Sequence, residues 1–162
     1  MSQAEASAQD IGEGPRGIGG WLVLPLLGLV LTPVVVVLQL SEFGPVVEAW
    51  PLMSMGQSIL VVVELICNFV LYFVLPPFLL VLAFRRRWEF PGLYIIWAAA
   101  VPFFLIADSL VGYWAFREVF EASGEGMFDD KTWQGIVRSL WSAAIWIPYM
   151  MRSRRVQNTF VN

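Results

Sequence analysis

Three ionisable side chains lie well inside long apolar stretches of the sequence. They are Glu64, Asp108 and Arg138, and each belongs to a different stretch. A charge within a hydrocarbon core is costly, so such residues usually face the interior of a helix bundle and pair there. Two acids and one arginine therefore indicate either a structural ion-pair cluster or a site that binds a proton or a cation.

Other kinds of chemistry have little support in the composition. The sequence has no histidine, and its single cysteine, Cys67, lies in an apolar stretch without the spacing of a metal site. We find no recognisable pair of a nucleophile and a base. We therefore expect no catalytic residues, no metal and no cofactor, and a membrane enzyme ranks behind the two functions given below.

The amino-acid composition is that of a membrane protein. Of the 162 residues, 58% are hydrophobic and 14% are charged, whereas soluble domains carry about 25% charged residues. The apolar residues fall into four blocks, and about 20 helical residues suffice to cross a bilayer. The sequence thus predicts an all-α, polytopic four-transmembrane-helix bundle within residues 18–151. Its predicted spans are about 18–40, 57–84, 91–116 and 132–151.

The segments outside the spans are shorter and more polar. Residues 1–17 are predicted to be a disordered tail, and residues 152–162 a basic tail. Residues 41–56 and 117–131 are predicted to be loops, and in the second loop two glycines disfavour a helix. These glycines are Gly124 and Gly126. Within the second span, Pro76 and Pro77 predict a kink or a local unwinding.

The charge distribution predicts the orientation. Basic residues in short loops mark the cytoplasmic side of a membrane protein. Seven arginines fall on the side of the two termini: Arg16, Arg85, Arg86, Arg87, Arg152, Arg154 and Arg155. The opposite loops carry Arg117 and Lys131 together with seven acids. Both termini are therefore predicted to be cytoplasmic. Arg85, Arg86, Arg87, Arg152 and Arg154 are expected to contact anionic lipid headgroups rather than nucleic acid.

With this orientation, the three deep charges lie at similar levels. Glu64, Asp108 and Arg138 are each roughly 8–12 Å below the outer end of their span. Asn68 and Tyr72 follow Glu64 at one-turn spacing and share its face. Since a guanidinium has five donors in one plane, it can hold both carboxylates, or one carboxylate and Asn68. We therefore predict an intramembrane polar cluster of Glu64, Asn68, Asp108 and Arg138. The polar face of the fourth span also carries Gln134 and Ser142.

Three short motifs lie at the two ends of the chain. The first span opens with Gly19, Gly20, Trp21 and Leu22, and the last span closes with Trp146, Ile147, Pro148 and Tyr149. The tail then carries Ser153, Arg155, Val156, Thr159 and Phe160. In order and spacing these motifs resemble the DUF2569 family of bacterial integral membrane proteins. The resemblance implies four spans in a bacterial inner membrane and no established activity, so no catalytic residue is carried over.

The basic tail has two interpretations. It is either a lipid anchor, with Phe160 dipping back into the membrane, or a docking segment. As a docking segment, it would bind a cytoplasmic partner or the protein's own loop around Arg85.

These features favour a non-enzymatic accessory or regulatory component of the inner membrane that acts through helix packing. The alternative is a small oligomeric transporter or proton-coupled carrier that uses Glu64 and Asp108. The expected partners are a bilayer with anionic headgroups and either another membrane protein or further copies of the chain.

Overall fold

A computed structural model describes residues 16–38, 43–124, 128 and 130–161 of the chain, and its regular structure there is helical. The helices are α1 (Gly20–Leu38), α2 (Gly44–Ala49), α3 (Met55–Phe84), α4 (Glu89–Ala115), α5 (Arg117–Ser123), α6 (Asp130–Arg152) and α7 (Arg154–Thr159). The first turn of α1 is a 3-10 turn, and a second 3-10 turn, Trp50–Leu52, follows α2.

Three of these helices, α1, α3 and α4, are long and apolar enough to cross a membrane. Their outward side chains are largely apolar; Phe103 on α4, for example, is 75% exposed. A surface of this kind suits lipid rather than water, so the three helices indicate a membrane protein. The sequence predicted four spans. The remaining long helix, α6, has 23 residues, which corresponds to about 34 Å, but its composition is more polar.

The helix α3 changes its geometry just before its two prolines. Residues Phe69–Val74 form a π-helical segment, in which the N–H of Leu75 donates to the carbonyl of Val70. In this register the carbonyl of Leu71 would be served by residue 76, which is a proline without an N–H. The indole Nε1 of Trp97 on α4 donates to that carbonyl instead, at 2.8 Å. The disturbance predicted at Pro76 and Pro77 is thus a π-helical turn whose free carbonyl is satisfied by a neighbouring helix.

One end of the molecule holds the main apolar core. We call it the packed end, and it comprises the start of α1, the end of α3, the start of α4, the end of α6, and α7. Its buried residues are Leu22, Leu26, Leu29, Leu79, Ala83, Phe90, Tyr94, Ala98, Met150, Val156 and Phe160. Gly17, just before α1, donates its N–H to Thr159 Oγ1 at 2.9 Å. The two terminal segments therefore meet at this end, beside the arginine-rich turn between α3 and α4.

The other end, which we call the open end, comprises α3 up to Asn68, the last turns of α4 and the first turns of α6. There α3 makes few contacts with the other described helices, whereas α6 packs along α4. Ser54 and Gln57 form a capping box at the start of α3. Gln57 Nε2 also donates to the carbonyl of Ala115 at 2.9 Å. This bond ties α3 to the carboxyl end of α4, where helix carbonyls lack partners of their own.

Several predicted boundaries need correction. Both predicted loops contain a short helix, α2 in the first and α5 in the second. The helix α5 ends at Gly124, whose φ of 72° is the left-handed conformation that glycine adopts readily. Gly17, predicted to belong to a disordered tail, instead bonds to Thr159. The rest of that predicted tail up to residue 15, the end of the first span (residues 39 and 40) and Gly126 lie outside the described residues.

Candidate functional site

Two of the predicted cluster residues are neighbours across α3 and α4. Glu64 and Asp108 are both half-buried. Asp108 lies close enough to act electrostatically on Glu64, and it acts in the same way on Tyr72. The structure therefore places the carboxyl group of Glu64 and the phenol of Tyr72, both on α3, within electrostatic range of the Asp108 carboxyl group on α4.

A crevice lies between α3 and α4 at the open end. Its volume is about 340 Å³, and it is lined by Ser54, Gly56, Gln57, Leu60, Val111, Trp114 and Ala115. Leu60 is one helical turn from Glu64, and Val111 is about one turn from Asp108. The two acids thus lie about one helical turn further from the open end than the residues that line this crevice.

Two polar side chains close to these acids in the sequence bond to the backbone of their own helix. Asn68 Nδ2 donates to the carbonyl of Glu64 at 3.1 Å, and Ser109 Oγ donates to the carbonyl of Leu105 at 2.8 Å. Within the described residues, every buried side-chain nitrogen or oxygen has a partner. Asn68 shares the face of Glu64, as predicted, but its amide is used by the helix rather than by a carboxylate.

The predicted pairing of Arg138 with the two acids is not formed within the chain. Arg138 lies on the exposed face of α6, together with Gln134 and Ser142. The ion pairs found among the described residues are both near helix ends: Arg87 with Glu89, and Arg117 with Glu121.

The reason lies in the apolar stripe of α6. The buried residues of that helix are Ile136, Ala143 and Met150, which recur every seven residues and so lie on one face. Arg138 follows Ile136 by two positions, which places it about 200° around the helix, on the opposite side. The seven-residue spacing is visible in the sequence and was the signal that sequence reasoning missed.

The motifs from the two ends of the chain come together at the packed end. The guanidinium of Arg155 lies against Gly19 and Gly20, and a Cβ added to Gly19 would be 3.2 Å from Arg155 Nη1. Gly20 has a φ of 56°, which disfavours any other residue. Thr159 Oγ1 donates to the carbonyl of Arg155 at 2.6 Å while it accepts from Gly17. These contacts join the start of α1 to α7.

The basic tail is folded onto the core of its own chain. Val156, Thr159 and Phe160 are buried, and the Phe160 ring is centred 4.7 Å from that of Phe90. The idea that Phe160 dips into the membrane is therefore wrong. The tail docks on its own chain, at the start of α4 just after the Arg85 turn.

The arginines that were predicted to contact headgroups are all exposed. They are Arg85, Arg86, Arg87, Arg152 and Arg154. Arg87 also forms a two-point pair with Glu89, at 2.8 and 3.1 Å, and this hydrogen bonding raises the pKa of Arg87 above its usual value. Their contact with lipid remains a prediction.

These terminal motifs are also the ones that resemble a known family, and a comparison of the whole sequence tests that resemblance. A family model described as protein of unknown function (DUF2569) matches residues 15–161. The chain belongs to the DUF2569 family. Comparison with curated proteins and with solved structures gives no match. The match to DUF2569 covers the packed end, the crevice and the two acids Glu64 and Asp108. The description of the family assigns no chemistry to any of them.

Proposed function

We propose that this DUF2569 protein is a non-enzymatic accessory or regulatory component of the bacterial inner membrane that acts through helix packing. The observation that carries the proposal is the outward polar face of α6, made by Gln134, Arg138 and Ser142. A polar face is costly against lipid unless another protein covers it. The open end adds a second uncovered surface, because α3 there makes few contacts with other described helices.

The proposal includes a fourth crossing by α6, with both termini in the cytoplasm. Two observations support it: the end of α6 packs beside the start of α1, and this is also the end that carries Arg85, Arg86 and Arg87. Single cysteines introduced at Arg86 and at Glu121, in a Cys67→Ser background, test the arrangement in intact cells. A membrane-impermeant maleimide should label the Glu121 position and spare the Arg86 position, and the reverse pattern would overturn it.

The proposed function in helix packing is tested by the mass of the protein assembly that is extracted in native lipid. We expect the unchanged chain to occur in an assembly of fixed stoichiometry by native mass spectrometry. Arg138→Leu should disrupt that assembly, whereas Arg117→Leu should not, because Arg117 is an exposed residue paired with Glu121 beyond the end of α4. A monomer free of any other protein would contradict the proposal. Deletion of residues 152–162 is no test, because it removes Val156 and Phe160 from the core.

A second candidate is a small proton-coupled carrier, favoured by the closeness of Glu64 and Asp108 below the crevice. Two like charges in a low-dielectric environment attract a proton or another cation. The test is proton entry into proteoliposomes under an imposed potential, followed with an internal pH dye. Glu64→Gln and Asp108→Asn should each abolish entry, while Glu48→Gln, which lies on the exposed surface of α2, should leave it unchanged. Equal rates in all variants would exclude the carrier.

A further inference from the structure

Each chain carries the two acids and the arginine of a possible ion-pair cluster, but the arginine does not contact the acids of its own chain. The cluster can therefore be divided into two halves. One half is the pair of acids next to the crevice, Glu64 and Asp108, which lie within electrostatic range of each other. Neither acid forms an ion pair in the described part of the chain. The other half is Arg138, on the outward face of α6. Since α6 packs along α4 and faces it with Ile136 and Ala143, the guanidinium points away from its own crevice.

The two halves lie at matching depths. Arg138 is eight residues from the start of α6, which is about 12 Å along the helix. Glu64 is nine residues from the start of α3, or about 13 Å, and Asp108 is seven residues from the end of α4, or about 10 Å. All three distances are measured from the open end. An α6 helix entering the crevice from outside, in the same orientation, would therefore bring its arginine to the level of the two acids.

We propose that the protein forms a two-fold symmetric dimer in which the polar face of α6 of each copy enters the crevice between α3 and α4 of the other. In this arrangement Arg138 of one copy binds Glu64 and Asp108 of the second copy. The proposal rests on the packing function above and names its partner.

Charge complementarity is the argument for a second copy as the occupant. A guanidinium binds carboxylates through paired, charge-assisted hydrogen bonds, and here the donor and the acceptors are on the same chain. In a two-fold interface each contact occurs twice, so one dimer contains two such clusters of one arginine and two acids. Both the costly outward arginine and the repulsion between the neighbouring acids are relieved by the same contact.

The native cysteine offers a direct test in the full-length protein. Cys67 is exposed on α3, close to Glu64, and twelve residues from the helix start. Ser142 is also exposed and twelve residues from the start of α6, so both positions are about 18 Å from the open end. Two differently tagged copies are co-expressed: one unchanged, and one with Cys67→Ser and Ser142→Cys.

We expect a short cross-linker, added to native membranes, to join the two tags through Cys67 and the substituted Ser142 position. The matched control replaces Ser142→Cys by Leu140→Cys, which is also exposed but lies about 160° around the helix from Ser142. Its cross-linked band should be absent. Arg138→Glu should abolish cross-linking at Ser142, and Arg138→Glu combined with Glu64→Arg in every copy should restore it. Thermal unfolding midpoints identify any variant that fails to fold.

The outcomes separate this inference from the packing function. Equal cross-linking at Ser142 and Leu140, or a dimer that is unaffected by Arg138→Glu, would show that Arg138 does not bind the acids of the second copy. If this intermolecular ion pair is absent but native lipid extracts contain a complex of fixed stoichiometry with a different protein, the proposed dimer is wrong and the packing function stands. If the protein is a partner-free monomer, both are wrong.

Discussion

The packed end and the open end are built from the same long helices but are held together by different forces. At the packed end, apolar side chains from α1, α3, α4, α6 and α7 share one core. At the open end, a single described side-chain bond, from Gln57 to Ala115, joins α3 to α4. The contacts that α3 makes with other helices are therefore concentrated at the packed end, and its first turns are expected to be the less stable part of that helix.

The difference follows from the side chains at each end. Gly19 and Gly20 let the Arg155 guanidinium approach the backbone closely, and small residues such as Ala83 and Ala98 are buried in the core. At the open end the facing side chains include Trp114 on α4 and two carboxyl groups. Like charges that face each other oppose close packing of their helices.

The largest effect on stability is expected from the removal of the Phe160 side chain at the packed end. Phe160 is 6% exposed and packs against Phe90 with the two rings tilted, so Phe160→Ala should lower the free energy of unfolding by about 3 kcal/mol. The measurement is equilibrium unfolding in mixed micelles. The control is Phe103→Ala, where the side chain is 75% exposed on the outside of α4. Equal losses in the two variants would show that the packed end is not the source of stability.

A smaller effect is expected at the boundary between the two ends. Trp97→Phe removes the donor to the Leu71 carbonyl, and an unsatisfied carbonyl in the interior should cost about 2 kcal/mol. The same substitution should cost much less in a Pro76→Ala background, because residue 76 then regains an N–H. A double-mutant cycle measures this coupling. Additive losses would show that the proline and the indole are independent.

A smaller loss of unfolding free energy is expected from a substitution at Gly20, next to Arg155. Gly20→Ala places a side chain at a φ of 56°, which should lower the unfolding free energy by about 1–2 kcal/mol. The matched control is Gly28→Ala within α1, where an added Cβ meets nothing within 4 Å. That control should be neutral or slightly stabilising, because alanine favours a helix. A similar loss in both variants would contradict the role assigned to the left-handed glycine.

The smallest effect on stability is expected at the open end. Gln57→Glu keeps an acceptor for the N–H of Ser54 but removes the donor to Ala115. The loss in unfolding free energy should be below about 1 kcal/mol. The separation of α3 and α4 should nevertheless increase, as measured between spin labels at Val63 and Leu110, which are both exposed. Gln157→Glu, at the packed end, should leave this distance unchanged.

Local sequence features predicted some of the site and missed the rest. Glu64 and Asp108 were expected to face the interior of the bundle because a carboxylate is costly against lipid, and both are half-buried in the structure. The same reasoning placed Arg138 inside the bundle. It failed there because Ile136, Ala143 and Met150 occupy the buried face of α6, and one helix cannot turn both faces inward.

The helical membrane class, the disturbance before Pro76 and the family were predictable from the sequence, because hydropathy, proline chemistry and short motifs are properties of contiguous residues. That the tail belongs to the core and that Trp97 satisfies the Leu71 carbonyl became known only from the folded structure. Helical periodicity defines the faces of each helix, but only the packing of several helices selects which faces are buried against one another.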